Sequence, residues 1–320
     1  MQILKFKPIY KERIWGGREL EKFGKKLPKE KSIGESWELS GVDGDVSVVS
    51  NGTLKGNNLS ELVEVYMGDL VGEKNFEKFG EEFPLLIKLI DAQDYLSIQV
   101  HPDDALAAER HNSYGKTEMW YVVDCQEGAS LYVGFNQKVD KAKYLEFLER
   151  GELEKLLRSY PVKKGDTFFI PAGAIHAIGK GILIAEIQQT SDITYRVYDF
   201  NRKDPNGNSR ELHTEQALDA IDYSVRNDYN VTALAARNEV VRLVSCPYFE
   251  TNTLEVDGAM IRDFAALDSF VIYVCIEGEV HLATTDSAET LKKGETALVP
   301  ADVDEVAITG SGLLLESYIP

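Results

Sequence analysis

The chain carries one β-rich unit twice. Gly165 to Ala172 matches Gly294 to Ala301 at a constant offset of 129 residues, and the match runs on to Gly181 against Gly310. Upstream, Cys125 to Gly128 matches Cys275 to Gly278 at an offset of 150, each block following an apolar run. The difference of 21 residues is the length of an insertion, and the charged amphipathic stretch Lys141 to Leu157 is read as a helix placed between two strands of the first copy alone. The two copies then span roughly 83–200 and 240–320, with a helical segment after the first. This divides the chain into an N-terminal part, 1–235, and a C-terminal unit, 236–320.

Short runs rich in β-branched and aromatic residues fill both copies, among them Met119–Val123, Thr167–Ile170 and Phe270–Val274. Turn residues at Glu127-Gly128, Lys164-Gly165-Asp166 and Glu277-Gly278 separate them, so the expected fold is mainly β: two jelly-roll or barrel units with a small helical segment. Helical periodicity is confined to Leu59–Tyr66, Ala105–Arg110, Lys141–Leu157 and Thr214–Ala220. Asp103-Asp104, and Thr214 with Glu215, offer acceptors to the free amides of a first helical turn. Segment 1–82 precedes both copies and is expected to pack along the first.

A net charge of −18, from 53 acidic and 35 basic side chains, repels nucleic-acid backbones and anionic membranes. It leaves room for a small phosphorylated ligand in a pocket where lysines and arginines reverse the local sign. Three widely spaced cysteines, Cys125, Cys246 and Cys275, form neither a disulfide framework nor a thiolate zinc knuckle. No apolar run approaches the roughly 20 residues of a membrane span. The N-terminus lacks the apolar core of a signal peptide, so a cytoplasmic protein is expected.

Chemistry concentrates in the first copy. Ser97, Gln99 and His101 alternate with apolar residues and would share one face of a strand. Glu118 opens the next candidate strand, and His176 stands where a later strand returns. Gln99, His101, Glu118 and His176 make a nitrogen and oxygen set suited to one zinc ion, or to manganese, iron or cobalt, with positions left for water or substrate. In the second copy His176 falls on Glu305 and Glu118 on Asp268, so that unit is expected to have no metal site.

The pair of motifs around these residues resembles the two metal-binding motifs of the cupin superfamily, with Gln99 in place of the first histidine. The likeness sharpens along the chain. Arg13 to Gly17, Pro84 to Ala92, Leu96 to Asp104, Gly115 to Trp120 and Thr194 to Arg202 resemble, in order, the signatures of type I mannose-6-phosphate isomerases in their short bacterial form. The resemblance implies a zinc enzyme interconverting mannose 6-phosphate and fructose 6-phosphate. It implies Gln99, His101, Glu118 and His176 as metal ligands, Arg196 as the active-site arginine, and Lys116 as the lysine before the glutamate ligand. Longer members carry a histidine, proposed as the proton-transfer base, where this chain has Gly115, so another group must serve.

Moving a carbonyl between C1 and C2 needs a base and a way to stabilise the enediolate. Glu186 and a metal-bound hydroxide are both candidates for the base. Lys88, Lys116, Arg196 and Arg202 are candidates for holding the phosphate, Ser97 is a further candidate for binding substrate, and Trp15 and Trp37 are candidates for lining the sugar pocket by stacking, with core packing the commoner role of tryptophan. The expected partner is a small sugar phosphate, bound by a monomer or weak homodimer. Two rivals stand beside this reading: a non-catalytic metal-containing cupin that binds sugars, and a metal-dependent dioxygenase, which would want a mostly histidine ligand set.

Overall fold

A computed structural model describes residues 1–204 and 206–320. Strands β1 (Leu4–Lys5), β2 (Ile9–Gly17) and β3 (Ile33–Leu39) lead into helices α1 (Leu59–Val71) and α2 (Glu73–Phe79). The first unit follows: β4 (Leu85–Ala92), β5 (Ile98–Val100), α3 (Asp104–His111), β6 (Glu118–Cys125), β7 (Ser130–Phe135), α4 (Lys141–Glu149), β8 (Leu157–Pro161), β9 (Thr167–Ile170), β10 (His176–Ile178), β11 (Ile182–Gln189), β12 (Tyr195–Tyr198) and α5 (Thr214–Ala220). The second comprises β13 (Val240–Ser245), β14 (Glu250–Asp263), β15 (Val271–Ala283), β16 (Ala288–Lys292), β17 (Thr296–Val299) and β18 (Glu305–Tyr318).

The strands form three antiparallel sheets. Six strands run in the order β2-β3-β4-β11-β6-β9, five in the order β12-β5-β10-β7-β8, and the second unit makes the third sheet, β1-β17-β15-β18-β14-β13, with β16 paired to β15. Side-chain alternation explains how they stack. Leu85, Ile87 and Leu89 of β4, Met119, Tyr121 and Val123 of β6, and Leu183, Ala185 and Ile187 of β11 share one core with Ile272, Val274, Leu298 and Leu315 of the second unit. The intervening residues of the same strands, including Lys88, Trp120 and Glu186, face the other way, into the first barrel. In the five-stranded sheet, Ile98, Val100, Ala177, Tyr195 and Val197 face outward to a core closed by Tyr144 of α4 and Ala217 of α5.

Four expectations are modified. The inserted segment holds a helix only to Glu149; after Arg150-Gly151 it makes a short 3₁₀ turn, Leu153–Leu156, and Leu157 already belongs to β8, in keeping with glycine's poor helix propensity. Glu277-Gly278 is a register irregularity inside continuous β15 rather than a turn between strands. Gly278 has φ +74°, and a Cβ there would sit 2.1 Å from the Ser311 carbonyl oxygen. Asp103 caps α3 by accepting from the Leu106 amide, but α5 has no side-chain cap. His213 occupies its N-cap position and turns Nδ1 to the Arg196 amide instead. Segment 1–82 also serves both units: β2 and β3 extend the six-stranded sheet, whereas β1 pairs with β17.

Asp268, the second-copy counterpart of Glu118, has a structural role. Its carboxylate accepts the Glu73 and Lys74 amides at 2.7 and 3.1 Å, capping α2 from across the unit boundary. Glu305 is exposed. Among the described residues no helix is long and apolar enough to cross a membrane.

Ile87 is fully buried where the two units meet. Ile87→Ala should lower the unfolding free energy in a urea titration by about 2–5 kcal/mol; a loss below about 1 kcal/mol would mean that the two sheets are not closely packed there.

Candidate metal centre and the cavity above it

The two sheets of the first unit present their polar faces to each other. On the five-stranded sheet, register places His176 of β10 and Arg196 of β12 on either side of Gln99 of β5. On the facing sheet Glu186 lies between Lys88 and Trp120, Gln188 is opposite Glu118, and Trp37 is opposite Lys88. His101, just past β5, closes the group.

His101, Glu118 and His176 are each buried, and their ligand atoms lie within 4.8 Å of one another, an arrangement that can hold a metal ion. His101 Nε2 lies 3.4 Å from one Glu118 oxygen and His176 Nε2 lies 3.5 Å from the other. His101 Nε2 and both Glu118 oxygens are buried without a hydrogen-bond partner. Such orphaned atoms are costly unless something fills the space between them. The imidazoles are oriented for that role: Nδ1 of His101 faces the Ile193 carbonyl at 3.0 Å, and Nδ1 of His176 faces that of Ala174 at 2.8 Å. Protons on both Nδ1 atoms leave both Nε2 lone pairs directed inward. The Gln99 amide stands 3.2 Å from His176 Nε2, and turning its terminal bond brings Oε1 to the same place. The donor set therefore fits a divalent cation.

Electrostatics favours the metal-ready protonation states. Burial, then the charge of Lys116, pushes the His101 pKa down to about 3 against the attraction of Glu118. Burial also lowers that of His176. Burial alone would raise the Glu118 pKa, but Lys116, His101 and His176 outweigh it and hold the carboxylate well below its usual range. Burial opposes the charge on Lys116, whose Nζ lies 3.3 Å from Glu118, yet Glu118 and Glu186 outweigh that and keep the ammonium protonated.

A cavity of about 550 Å³ opens beside the trio, lined by Trp15, Lys88, Ser97, Gln99, Lys116, Glu186 and Arg196 among others. Six cationic side chains reach its wall, Lys11, Arg13, Lys88, Lys116, Arg196 and Arg210, in a chain whose net charge is −18. Most have acidic partners: Lys11 with Asp45, Arg13 with Glu35, Lys88 with Glu186, Lys116 with Glu118 and Arg210 with Asp199. Glu186 accepts from Lys88 Nζ and from Trp120 Nε1, each at 2.9 Å. Trp15 is buried against Ile90 and Leu96 in the barrel core while also forming cavity wall.

Arg202 departs from the expected arrangement. It does not line the cavity; its guanidinium is spent on Asp199 and the Tyr95 carbonyl. Arg13, Glu35, Trp37 and Arg210 do line it. Of these Glu35, fixed by Arg13 and by Trp37 Nε1 at 2.7 Å, and Arg210 carried no sequence signal, because neither belongs to a periodic or spaced pattern. At Gly115, a Cβ would lie 2.5 Å from the Asp104 amide nitrogen, so the start of α3 occupies the space a side chain would need.

Comparison with known proteins finds similarity along nearly the whole chain. The family model for the phosphomannose isomerase type I catalytic domain matches residues 3–128, and that for the mannose-6-phosphate isomerase cupin domain matches residues 239–319. A mannose-6-phosphate isomerase of Bacillus subtilis is 39% identical over 317 residues, 98% of each chain. One from Streptococcus mutans is 38% identical over 96% of this chain and 95% of its own. The crystal structure of a Bacillus subtilis mannose 6-phosphate isomerase superposes with a TM-score of 0.86 at 36% identity, covering 99% of both chains.

The buried histidines predict a pH signature. In the unfolded chain His101 takes up a proton near pH 6.5, whereas in the fold it stays neutral down to about 3. Over that window the unfolded state binds more protons, so metal-free protein loses stability as pH falls through it. His101→Asn should flatten the fall between about pH 7 and about pH 5 in urea unfolding of metal-free protein; identical slopes would contradict the neutral, buried assignment.

Proposed function

The chain belongs to the type I phosphomannose isomerase family, and on that footing we propose that it interconverts mannose 6-phosphate and fructose 6-phosphate at this cavity with the help of a bound zinc ion. The observation that carries the reading is the buried trio His101, Glu118 and His176, with its orphaned inward atoms, beside a cavity that its neighbours Gln99 and Lys116 line and that is rich in cationic side chains.

Gln99, His101, Glu118 and His176 would hold the cation, which when bound supplies Lewis-acid stabilisation of the enediolate oxygens. The rest falls to the protein's own side chains. Lys88 and Trp120 grip Glu186 from behind and fix its carboxylate in the cavity wall, where it can take a proton from one carbon and return it to the next. Lys116, kept charged by its two carboxylate neighbours, can donate to a substrate oxygen and is unsuited to act as the base. Arg196 pairs with no carboxylate among the described residues and donates to the Glu211 carbonyl, leaving guanidinium edges for a developing oxyanion. A pure sugar binder has no use for a carboxylate and an ammonium poised together beside the metal ligands, which favours an enzyme over the binding-module reading.

Isomerisation in heavy water should place deuterium on the carbon that receives the proton. Glu186→Gln should lower kcat by about 10²- to 10⁴-fold with metal content intact, and a drop smaller than about 3-fold would remove Glu186 as the base. His176→Ala should lose metal and turnover together. Arg196→Ala should keep metal and lose most turnover, and an unchanged rate would take Arg196 out of the reaction.

A further inference from the structure

One carboxylate on the far side of Arg196 is shared by two arginines. Asp199, at the end of β12 and nearly fully buried, accepts Arg210 Nε at 2.7 Å through one oxygen, while its other oxygen takes the second arms of both Arg210 and Arg202. Burial alone would raise the Asp199 pKa, but Arg210 and Arg202 outweigh it and hold the carboxylate ionised. Phe200 and Asn201, both at φ +54°, turn the chain sharply enough for Arg202 to fold back onto Asp199. Backbone strain of this kind in two successive non-glycine residues persists only where the surroundings require it.

The charge balance here differs from the rest of the cavity. Among the described residues Arg196 has no carboxylate partner and its Nε is buried without a hydrogen-bond partner, and Arg210, Arg13 and Arg202 all depress its pKa after burial itself. Arg196, Arg202 and Arg210 thus face one buried carboxylate, Asp199. The further acids stand outside: Asp94, 3.6 Å from Arg202, is more than half exposed, and Asp192 lies at the exposed rim. A local surplus of positive charge, partly removed from water in a strongly acidic protein, is the signature of an anion site.

Register gives the surplus a direction. Gln99 is opposite Arg196 and Ile98 is opposite Tyr198, so Ser97 and Asp199 lie further along the two strands, away from the metal end. At about 3.3 Å per residue this is roughly 7–10 Å beyond Gln99, comparable to the reach of a hexose from C1 to a phosphate on C6. The segment bearing Arg210 returns alongside β12, with the His213 amide on the Arg196 carbonyl and the Arg196 guanidinium on the Glu211 carbonyl. Arg210 therefore meets the cavity at the Asp199 end.

We propose that Arg210, held in the cavity wall by Asp199, recognises the phosphate of the substrate, and that Arg202 fixes the Asp199 hub from outside without touching substrate. The inference rests on the sugar-phosphate reading above. Asp199 and Arg202 are positioning residues; Arg210 is the contact. A guanidinium already anchored through two nitrogens offers its remaining N–H groups to phosphate oxygens with little further loss of side-chain freedom.

The test is steady-state kinetics with mannose 6-phosphate together with titration of inorganic phosphate into the metal-loaded protein. Arg210→Ala should raise KM and the phosphate dissociation constant by roughly 10- to 100-fold, the worth of one or two charge-assisted hydrogen bonds, while kcat changes by only a few-fold. Arg210→Lys should recover part of the loss. Asp199→Asn should raise KM in the same direction, with metal content unchanged. If wild-type protein turns over and Arg210→Ala leaves KM and phosphate affinity unaltered, the assignment is wrong though the isomerase reading stands. If wild-type protein shows no turnover yet binds phosphate through Arg210, the isomerase reading fails and the anion site stands. Loss of kcat alone in folded Arg210→Lys would overturn the proposal by placing Arg210 at the reacting carbons.

Discussion

Three neighbouring strands, β4, β11 and β6, are buried on both faces, and this constraint organises the molecule. One face must be apolar because it packs against the second unit, through Ile87, Ala185 and Met119 among others. The other face encloses a barrel whose opposite wall is the sheet of β5, β10 and β12. Polar residues on that inner face have no access to bulk water except through the cavity, so each must be satisfied by its neighbours or by a ligand. Lys88, Trp120 and Glu186 satisfy one another. Glu118 is not satisfied in this way, and its two oxygens face a common point with Nε2 of His101 from the opposite wall.

In the second unit a buried carboxylate of the same kind is met by a different set of partners. Glu316 on β18 is fully buried and takes Arg262 through two nitrogens, Tyr273 Oη and Asn252 Nδ2. The pattern of a cation and an aromatic donor on a buried carboxylate parallels Lys88 and Trp120 on Glu186. Both Glu316 oxygens are matched within the protein, and Asp268, the counterpart of Glu118, caps a helix. The unit contributes a rigid apolar face, and the first unit's sheet needs that face to be buried on both sides.

Much of this was legible in the chain because it depends on spacing. The duplicated Gly-to-Ala blocks mark equivalent strand pairs, the alternation of Ser97, Gln99 and His101 marks an inward face, and the positions of Glu118 and His176 at strand starts follow from turn residues around them. What depends on tertiary contact was not legible. Residues 1–82 read as an addition to the first unit because nothing local reveals that Leu4 pairs with Leu298 or that Asp268 caps α2. Arg202 lies in the family-like stretch Thr194 to Arg202 and Arg210 outside it, yet the turn at Phe200-Asn201 folds Arg202 onto Asp199 away from the cavity while Arg210 lines it. Glu277-Gly278 has a turn's composition but sits in a long strand, where glycine accommodates an irregularity.

We propose that the buried trio, with Gln99, holds the metal on which isomerisation by this chain depends. The most direct measurement follows fructose 6-phosphate formed from mannose 6-phosphate by purified protein as isolated, after chelation to remove metal, and after zinc is restored. The expected result is turnover that chelation abolishes and about one equivalent of zinc per chain recovers. Undiminished turnover in protein verified to be metal-free, or none in folded, zinc-loaded protein, would contradict it.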